Sequence, residues 1–381
     1  MVKKHILVIR NAYAHDFGGA ERFAVFLTKA ISDAPDYEAT VISRNPGLLA
    51  FARHQEVSAI RGWWWEQQNW SGTRSLLFPI YVLWQLLLTV WYAWIYKKEQ
   101  PSVVHIQSRD DFIAATLAAK LLGIRIIWTD HADLKHVWKN LFAPLKNPVG
   151  KFVHFCARYT TAITVVSQSE QRLVLANLVS SSVKKKLVVI HNGCSDVAEN
   201  YTEKKYHEFT FCVFGRLVKD KGIGDVITAF SQLESTSAKL RIVGDGPDAA
   251  LFKKQAASSN NISFVGHSHD PLATVSRAHV VIHPSHHEGF SVALVEASML
   301  GMPIIATAVG GNVEIIHNKK TGLLVPPSSP SDLTTAMKLL MESSELRNKL
   351  GAGARQNYLE NYIFEHIVEN EFMEIYEKSR N

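Results

Sequence analysis

The sequence predicts an α/β protein built from two doubly wound, Rossmann-like domains, and three observations lead there. The chain has 381 residues, too many for one ordinary core and enough for two of roughly 150–200 residues. Short β-branched runs alternate with helix-length segments along it, and apolar strands joined by helices form parallel sheets covered on both faces. The alternation breaks only once, across the polar, aperiodic stretch "CSDVAENYTEKKYHE".

Before the break the strand-like runs are "HILVIR", "EATVIS", "SVVHIQS", "RIIWTD", "AITVVS" and "KLVVIHN". After it come "FTFCVFG", "KLRIVGDG", "ISFVGH", "HVVIHPS" and "PIIATAVGG". The expected division is a first domain over 1–193 and a second over 194–357, with a C-terminal helix at 358–381 returning to the first. Open α/β sheets bind ligands beyond the carboxyl ends of their strands, so a cleft is expected between those ends of the two sheets.

Composition narrows the classes. At 47% hydrophobic and 20% charged residues, the chain is neither disordered nor fibrous. Cys156, Cys194 and Cys212 are far apart, which fits a reducing compartment and argues against a disulfide framework or a zinc knuckle. The apolar run in "MVKKHILVIRNAY" is too short for a signal peptide, so a cytoplasmic protein is expected. The net charge of +6 is uneven. Residues 1–190 carry 23 Lys and Arg against 13 Asp and Glu, and residues 191–381 carry 18 against 22. A basic first half suggests that it faces something anionic: nucleic acid, lipid or a phosphorylated substrate.

Candidate site residues cluster at predicted strand ends. "FTFCVFGRLVKDKGIGD" places Arg216 and Lys221 on a glycine-rich turn before a helix, an arrangement suited to a diphosphate but also found in ordinary solvated loops. "GDGPDAA" contains Gly244, Gly246 and Ala249 at dinucleotide-fingerprint spacing. Asp245 and Pro247 fit a tight acidic loop better than a pyrophosphate cradle. The first strand leads only to Gly18-Gly19, which weakens an oxidoreductase reading; no cofactor is expected. A glycine pair before a helix still lets backbone amides approach an anion. "IIWTDHAD" ends a strand at Asp130 and His131, and this position singles His131 out among 17 histidines.

"HVVIHPSHHEGFSVALVEASMLGMPIIATAVGG" reads as a complete strand-loop-helix-strand unit. Glu288 falls in its loop, Ser291 can cap the helix, and Glu296 lies within it on a face that its neighbours make hard to solvate. The amides of Gly289, Phe290 and Ser291 could point at a ligand phosphate.

Together "GRLVKDKG", "GDGP", "HNG", "EGFSVALVE" with its E-x7-E spacing and "VGGNVE" resemble the retaining glycosyltransferases of family 4, from the "GGAE" loop to the final helices. The resemblance implies the GT-B architecture and a sugar donor carried on a nucleoside diphosphate. It implies that Arg216 and Lys221 hold the diphosphate, that Glu288 meets the donor sugar with Gly289, Phe290 and Ser291 supplying amides, and that Glu296 accepts from the ribose. It places His131 near the reacting centre and Gly19 under the diphosphate and the acceptor path. His287 stands where the family often has an aromatic or aliphatic residue. Asp-x-Asp is absent from the sequence, so no metal is expected, and Arg216 and Lys221 would meet the charge that builds on the leaving group.

"LLFPIYVLWQLLLTVWYAWIY" at 76–96 is about long enough to span a membrane. It lies between "EATVIS" and "SVVHIQS", which a span would leave on opposite sides of the bilayer, so a transmembrane helix is rejected. A buried crossover helix and a helix partly sunk in the membrane interface remain. Residues 134–169 contain no Asp or Glu and interleave Lys135, Lys139, Lys146, Lys151 and Arg158 with Trp138, Phe142, Phe152, Phe155 and Tyr159. That favours an anionic membrane surface or a lipid diphosphate acceptor; no nucleic-acid motif accompanies it. The expected protein is thus a glycosyltransferase for surface glycan assembly, peripheral on the inner membrane face, with a lipid-linked or glycan acceptor. A nucleotide-sugar epimerase and a non-catalytic membrane-associated binding protein are the alternatives.

Overall fold

The structure is a computed structural model of the chain, and it describes residues 3–11, 18–63, 78–131, 148–177, 180–233 and 237–377. It contains two compact units: Met1–His191 with Val368–Asn381, and Asn192–Ile367. Tyr358–Ile367, expected to return to the first domain, belong instead to the second unit. The Tyr358 hydroxyl donates to the Cys194 carbonyl, the Cys194 amide donates to the Tyr362 carbonyl, and the Phe364 amide donates back to the Cys194 carbonyl.

The first unit holds seven strands: β1 (Lys4–Ile9), β2 (Tyr37–Ser43), β3 (Ala59–Arg61), β4 (Val103–Ile106), β5 (Arg125–Asp130), β6 (Ala162–Val165) and β7 (Leu187–Val189). They form one parallel sheet in the order β3-β2-β1-β4-β5-β6-β7. Successive side chains on a strand face opposite sides of the sheet. Val41 therefore packs with Val25, Leu48 and Ala52, while Ile42 joins the cluster of Leu88, Tyr92 and Trp128 on the other face. The second unit holds β8 (Thr210–Phe214), β9 (Lys239–Val243), β10 (Ile262–Gly266), β11 (Val280–His283), β12 (Ile304–Thr307) and β13 (Leu323–Val325). Its sheet is also parallel, in the order β10-β9-β8-β11-β12-β13.

Helix Phe78–Glu99 connects β3 to β4, whose strands lie in the same parallel sheet. Length and composition alone would let it cross a membrane. Tyr81, Leu88, Tyr92, Ile95 and Tyr96 are buried against the first unit, whereas Ile80, Leu83, Leu86, Leu87, Val90 and Trp94 are 50–69% exposed. The helix is thus neither all core nor free of the core. Residues 76–77, Lys135, Trp138, Lys139, Phe142 and Lys146 lie outside the described residues.

The last turns of the chain pack on the first unit. Phe372 contacts Phe23 and His105, and the Tyr376 hydroxyl lies 2.7 Å from His105 Nδ1. His105 Nε2 meets the Thr129 hydroxyl, which in turn meets Thr164. Burial pushes the His105 imidazole down to about 3, so it folds as a neutral ring. Replacing Tyr376 with Phe should lower stability by about 1–3 kcal/mol, because a buried ring nitrogen loses its partner; urea unfolding measures this. The unfolded ring takes up a proton near pH 6.5 and the folded one only near 3. Stability from this group is therefore full above 6.5 and declines as pH falls toward 3, which urea midpoints across that range will show.

Candidate active site

Strand order reverses between β1 and β4 in the first sheet and between β8 and β11 in the second. At such a reversal the connections leave in opposite directions and open a crevice at the carboxyl ends. The predicted residues can be placed against those two points.

In the second unit β8 ends at Phe214, and Arg216 follows it as an exposed side chain. A short 3-10 turn, Lys219–Lys221, leads through Gly222 into helix Ile223–Ser231. Gly222 has φ +65°, and a Cβ there would collide with the Pro284 carbonyl. Glycine is therefore what lets the Lys221 turn lie against the loop after β11. His286 strengthens that seam: its amide donates to the Asp220 carbonyl, and its Nε2 lies 2.7 Å from Asp225.

The loop carries Glu288 to Lys221. The Glu288 Oε1 accepts from Lys221 Nζ, from His283 Nε2 at 3.0 Å and from the Ser285 hydroxyl at 3.0 Å. Burial alone would raise this carboxyl. The His283 hydrogen bond and charge, with the Lys221 ammonium, outweigh burial and hold it down at about 2. Gly310, in the loop after β12, approaches so closely that a Cβ would strike the Glu288 carbonyl. Ser291 caps helix Val292–Met299 by accepting from the Leu294 amide. Phe290 is buried beside Tyr362, and Gly289 accepts from the Gly311 amide. Glu296 is half-buried in that helix, not fully buried as its apolar neighbours suggested. Its charge reaches Cys194 and Tyr201. The "GDGP" loop is the tight acidic turn expected of it, with the Asp245 carbonyl accepting from Leu217 and the Asp248 carboxylate from Lys219.

In the first unit Gly19 begins helix Gly19–Asp33 after β1. Glu21, one turn in, accepts from the Gly18 amide and from Arg10, an ion pair buried at both ends. His131 follows β5, with Nε2 3.2 Å from Gln107 Oε1 and its ring edge-on to Phe23. Burial, then the Arg10 charge, push His131 well below its ordinary value, so it is a neutral imidazole. Sequence reasoning missed His283, Ser285, Arg10, Glu21 and Gln107. His283 had the same signal as His131, a histidine at the carboxyl end of a strand.

A carboxylate, a lysine and an exposed arginine thus lie at the reversal point of a Rossmann-like sheet. Comparison with known proteins makes this specific. Residues 17–196 match the family described as Glycosyltransferase Family 4, and residues 198–357 match Glycosyl transferases group 1. The capsular polysaccharide biosynthesis glycosyltransferase CapM of Staphylococcus aureus is 27% identical over 308 residues, covering 74% of this chain and 78% of that protein. A glycosyltransferase structure from Rickettsia africae covers 99% of this chain and 100% of its own, with TM-score 0.79 and 20% identity. HepE of Anabaena, solved with UDP, gives TM-score 0.78 at 16% identity over 98% of this chain and 99% of its own. The chain belongs to glycosyltransferase family 4, and it is a glycosyltransferase with the GT-B fold.

The Glu288 carboxyl gives a pH signature. Its folded value is about 2 against 4.5 for the free group, so its stabilisation is full above 4.5 and is lost as pH falls toward 2. Wild type should be more stable than Glu288→Gln at neutral pH, and the gap should narrow below pH 4.5. Denaturant midpoints of the two proteins across that range measure it.

Proposed function

We propose that the protein transfers a sugar, with retention of anomeric configuration, from a nucleoside diphosphate donor to a membrane-associated, lipid-linked acceptor in surface glycan assembly. The observation that carries this reading is the meeting of Lys221 and Glu288 at the reversal point of the second sheet. A diphosphate and a sugar together present what those two groups bind, an anion and vicinal hydroxyls. Lys221 and Arg216 take the diphosphate. Glu288 accepts from donor-sugar hydroxyls, with the amides of Gly289, Phe290 and Ser291 nearby. Glu296 accepts from the ribose. His131 and Gly19 are assigned to the reacting centre and the acceptor path by the family resemblance. The neutral state of His131 suits a hydrogen-bonding role rather than a cationic one.

As the glycosidic bond breaks, negative charge grows on the leaving diphosphate and positive character on the anomeric carbon. Preorganised cations aimed at the former lower the barrier most. HepE was solved with UDP, and the name of CapM refers to capsular polysaccharide; both support the donor class and the pathway type. Replacing Arg216 or Lys221 with Ala should cut turnover on the order of 100-fold. Activity should persist in excess chelator, because the side chains supply the charge. Radiolabelled sugar transfer to lipid diphosphate acceptors tests both points, and near-normal activity of the double variant would end the assignment.

The membrane part of the proposal rests on helix Phe78–Glu99. Its exposed apolar residues run to the exposed Lys97 and Lys98, and exposed Lys151, Phe155 and Arg158 belong to the same unit. Apolar surface of this kind flanked by cations fits the interface of an anionic bilayer. Trp84 and Trp91 are partly buried against the core, so they are poor probes. Leu83, Val90 and Trp94 face outward. The triple replacement of these three by Ser should lower binding to phosphatidylglycerol vesicles at least 10-fold without moving the thermal midpoint. Salt should weaken wild-type binding only in part, since it screens the cations and not the apolar contact. Vesicle co-sedimentation decides it, and a wild type that ignores vesicles would remove the membrane from the proposal.

A further inference from the structure

All three donors to Glu288 converge on one oxygen, Oε1. Its other oxygen, Oε2, has no hydrogen-bond partner among the described residues. The carboxylate is thus anchored on one side and open on the other. The three anchors are not equivalent. Lys221 is the most exposed of them, at 29%, and sits at the end of a long flexible side chain. The His283 side chain is 8% exposed and belongs to β11, which is hydrogen-bonded to strands on both sides. Ser285 is fully buried two residues on, with its hydroxyl 3.2 Å from His283 Nε2.

In the reaction proposed above, Lys221 has a second claimant. A diphosphate carries more charge than one carboxylate, and Lys221 can leave Oε1 for it. A Glu288 held by Lys221 alone would then lose its orientation as the donor arrives. We infer that His283, assisted by Ser285, is a positioning residue: it keeps the Glu288 carboxylate in place when Lys221 turns to the diphosphate, so that Oε2 stays aimed at the donor-sugar hydroxyls. The carboxylate offers only acceptors, so Nε2 carries the proton and donates it. His283 does not touch the donor in this account, and it acts only through Glu288.

The inference rests on the proposed donor reading, and the experiment separates the two. Calorimetry with UDP, GDP and ADP and their glucose esters identifies a bound pair and gives the ratio of nucleotide-sugar affinity to nucleoside diphosphate affinity. Misplacing a group by about 1 Å can cost on the order of 100-fold in rate. His283→Ala should accordingly lower kcat by about 10- to 100-fold and weaken the sugar-dependent part of binding, with affinity for the bare diphosphate unchanged within about 2-fold. An amide nitrogen in His283→Gln reaches a similar point to Nε2, and most of the activity should return. In a Glu288→Ala background His283→Ala should change the affinity ratio by less than about 2-fold, since nothing is left to position. An equal loss with and without Glu288, or a Gln variant as poor as Ala, overturns the inference while leaving the donor reading intact. If His283→Ala does not fold, His283→Phe, which keeps a ring there and removes the donor, carries the same test: a shifted ratio supports the inference, and an unchanged ratio overturns it. If wild type binds no nucleoside diphosphate and no nucleotide sugar, the donor reading itself fails, and the positioning role falls with it.

Discussion

Each sheet grows outward from a central pair of parallel strands, β1 and β4 in one unit and β8 and β11 in the other, and the sites depend on that reversal. A parallel crossover is right-handed in nearly every case, so the order of the strands fixes which face each helix covers. At the central pair the chain departs both ways, which opens a crevice at the carboxyl ends. The turn with Lys221 and the loop with Glu288 therefore meet at the centre of the second sheet. The same geometry sets Gly18-Gly19 and Gln107 at the centre of the first.

The buried charges in both units follow one rule, since a carboxylate removed from water must find donors. Glu21 takes the Arg10 guanidinium and the Gly18 amide, which ties the start of a helix to the end of β1. Asp111 accepts from Asn11, Ser108 and Tyr92; burial still pushes its carboxyl up, against those hydrogen bonds. Glu288 differs from Asp111 in having cationic and imidazole partners strong enough to pull it down to about 2. It stays ionised, which suits an acceptor of hydroxyl hydrogen bonds and excludes a proton donor near neutrality.

Helix Phe78–Glu99 shows why a composition can satisfy two roles. The stretch Pro79–Tyr96 contains no charged residue, so neither of its faces is marked as solvent-facing. Tertiary packing chose one. The face of Leu88, Tyr92 and Tyr96 closes the core over β1, β4 and β5, and the face of Leu83, Val90 and Trp94 remains exposed. Burial of all apolar residues would need a second layer outside this helix, and a single sheet with one helical layer on each face does not supply one.

Much of this protein was legible in its sequence. Continuous apolar runs marked eleven strands, and the polar gap near 194 lies close to the division at His191, because β-branched burial and aperiodic polarity are local properties. The strands that escaped, β3 and β13, have three residues each and lie at sheet edges, where one neighbouring strand suffices and the apolar run can be short. The places of Arg216 and Lys221 after β8, and of Glu288 and Glu296 after β11, were legible because spacing along a strand-loop-helix unit survives folding. Their partners were not. His283 donates to Glu288 across five residues and Lys221 across 67, and Tyr376 reaches His105 across 271. Hydrogen bonds of such span depend on where sheet order and loop paths bring the backbone. A linear pattern carries no record of that, so only the tertiary structure decided which oxygen of Glu288 is held and which is free.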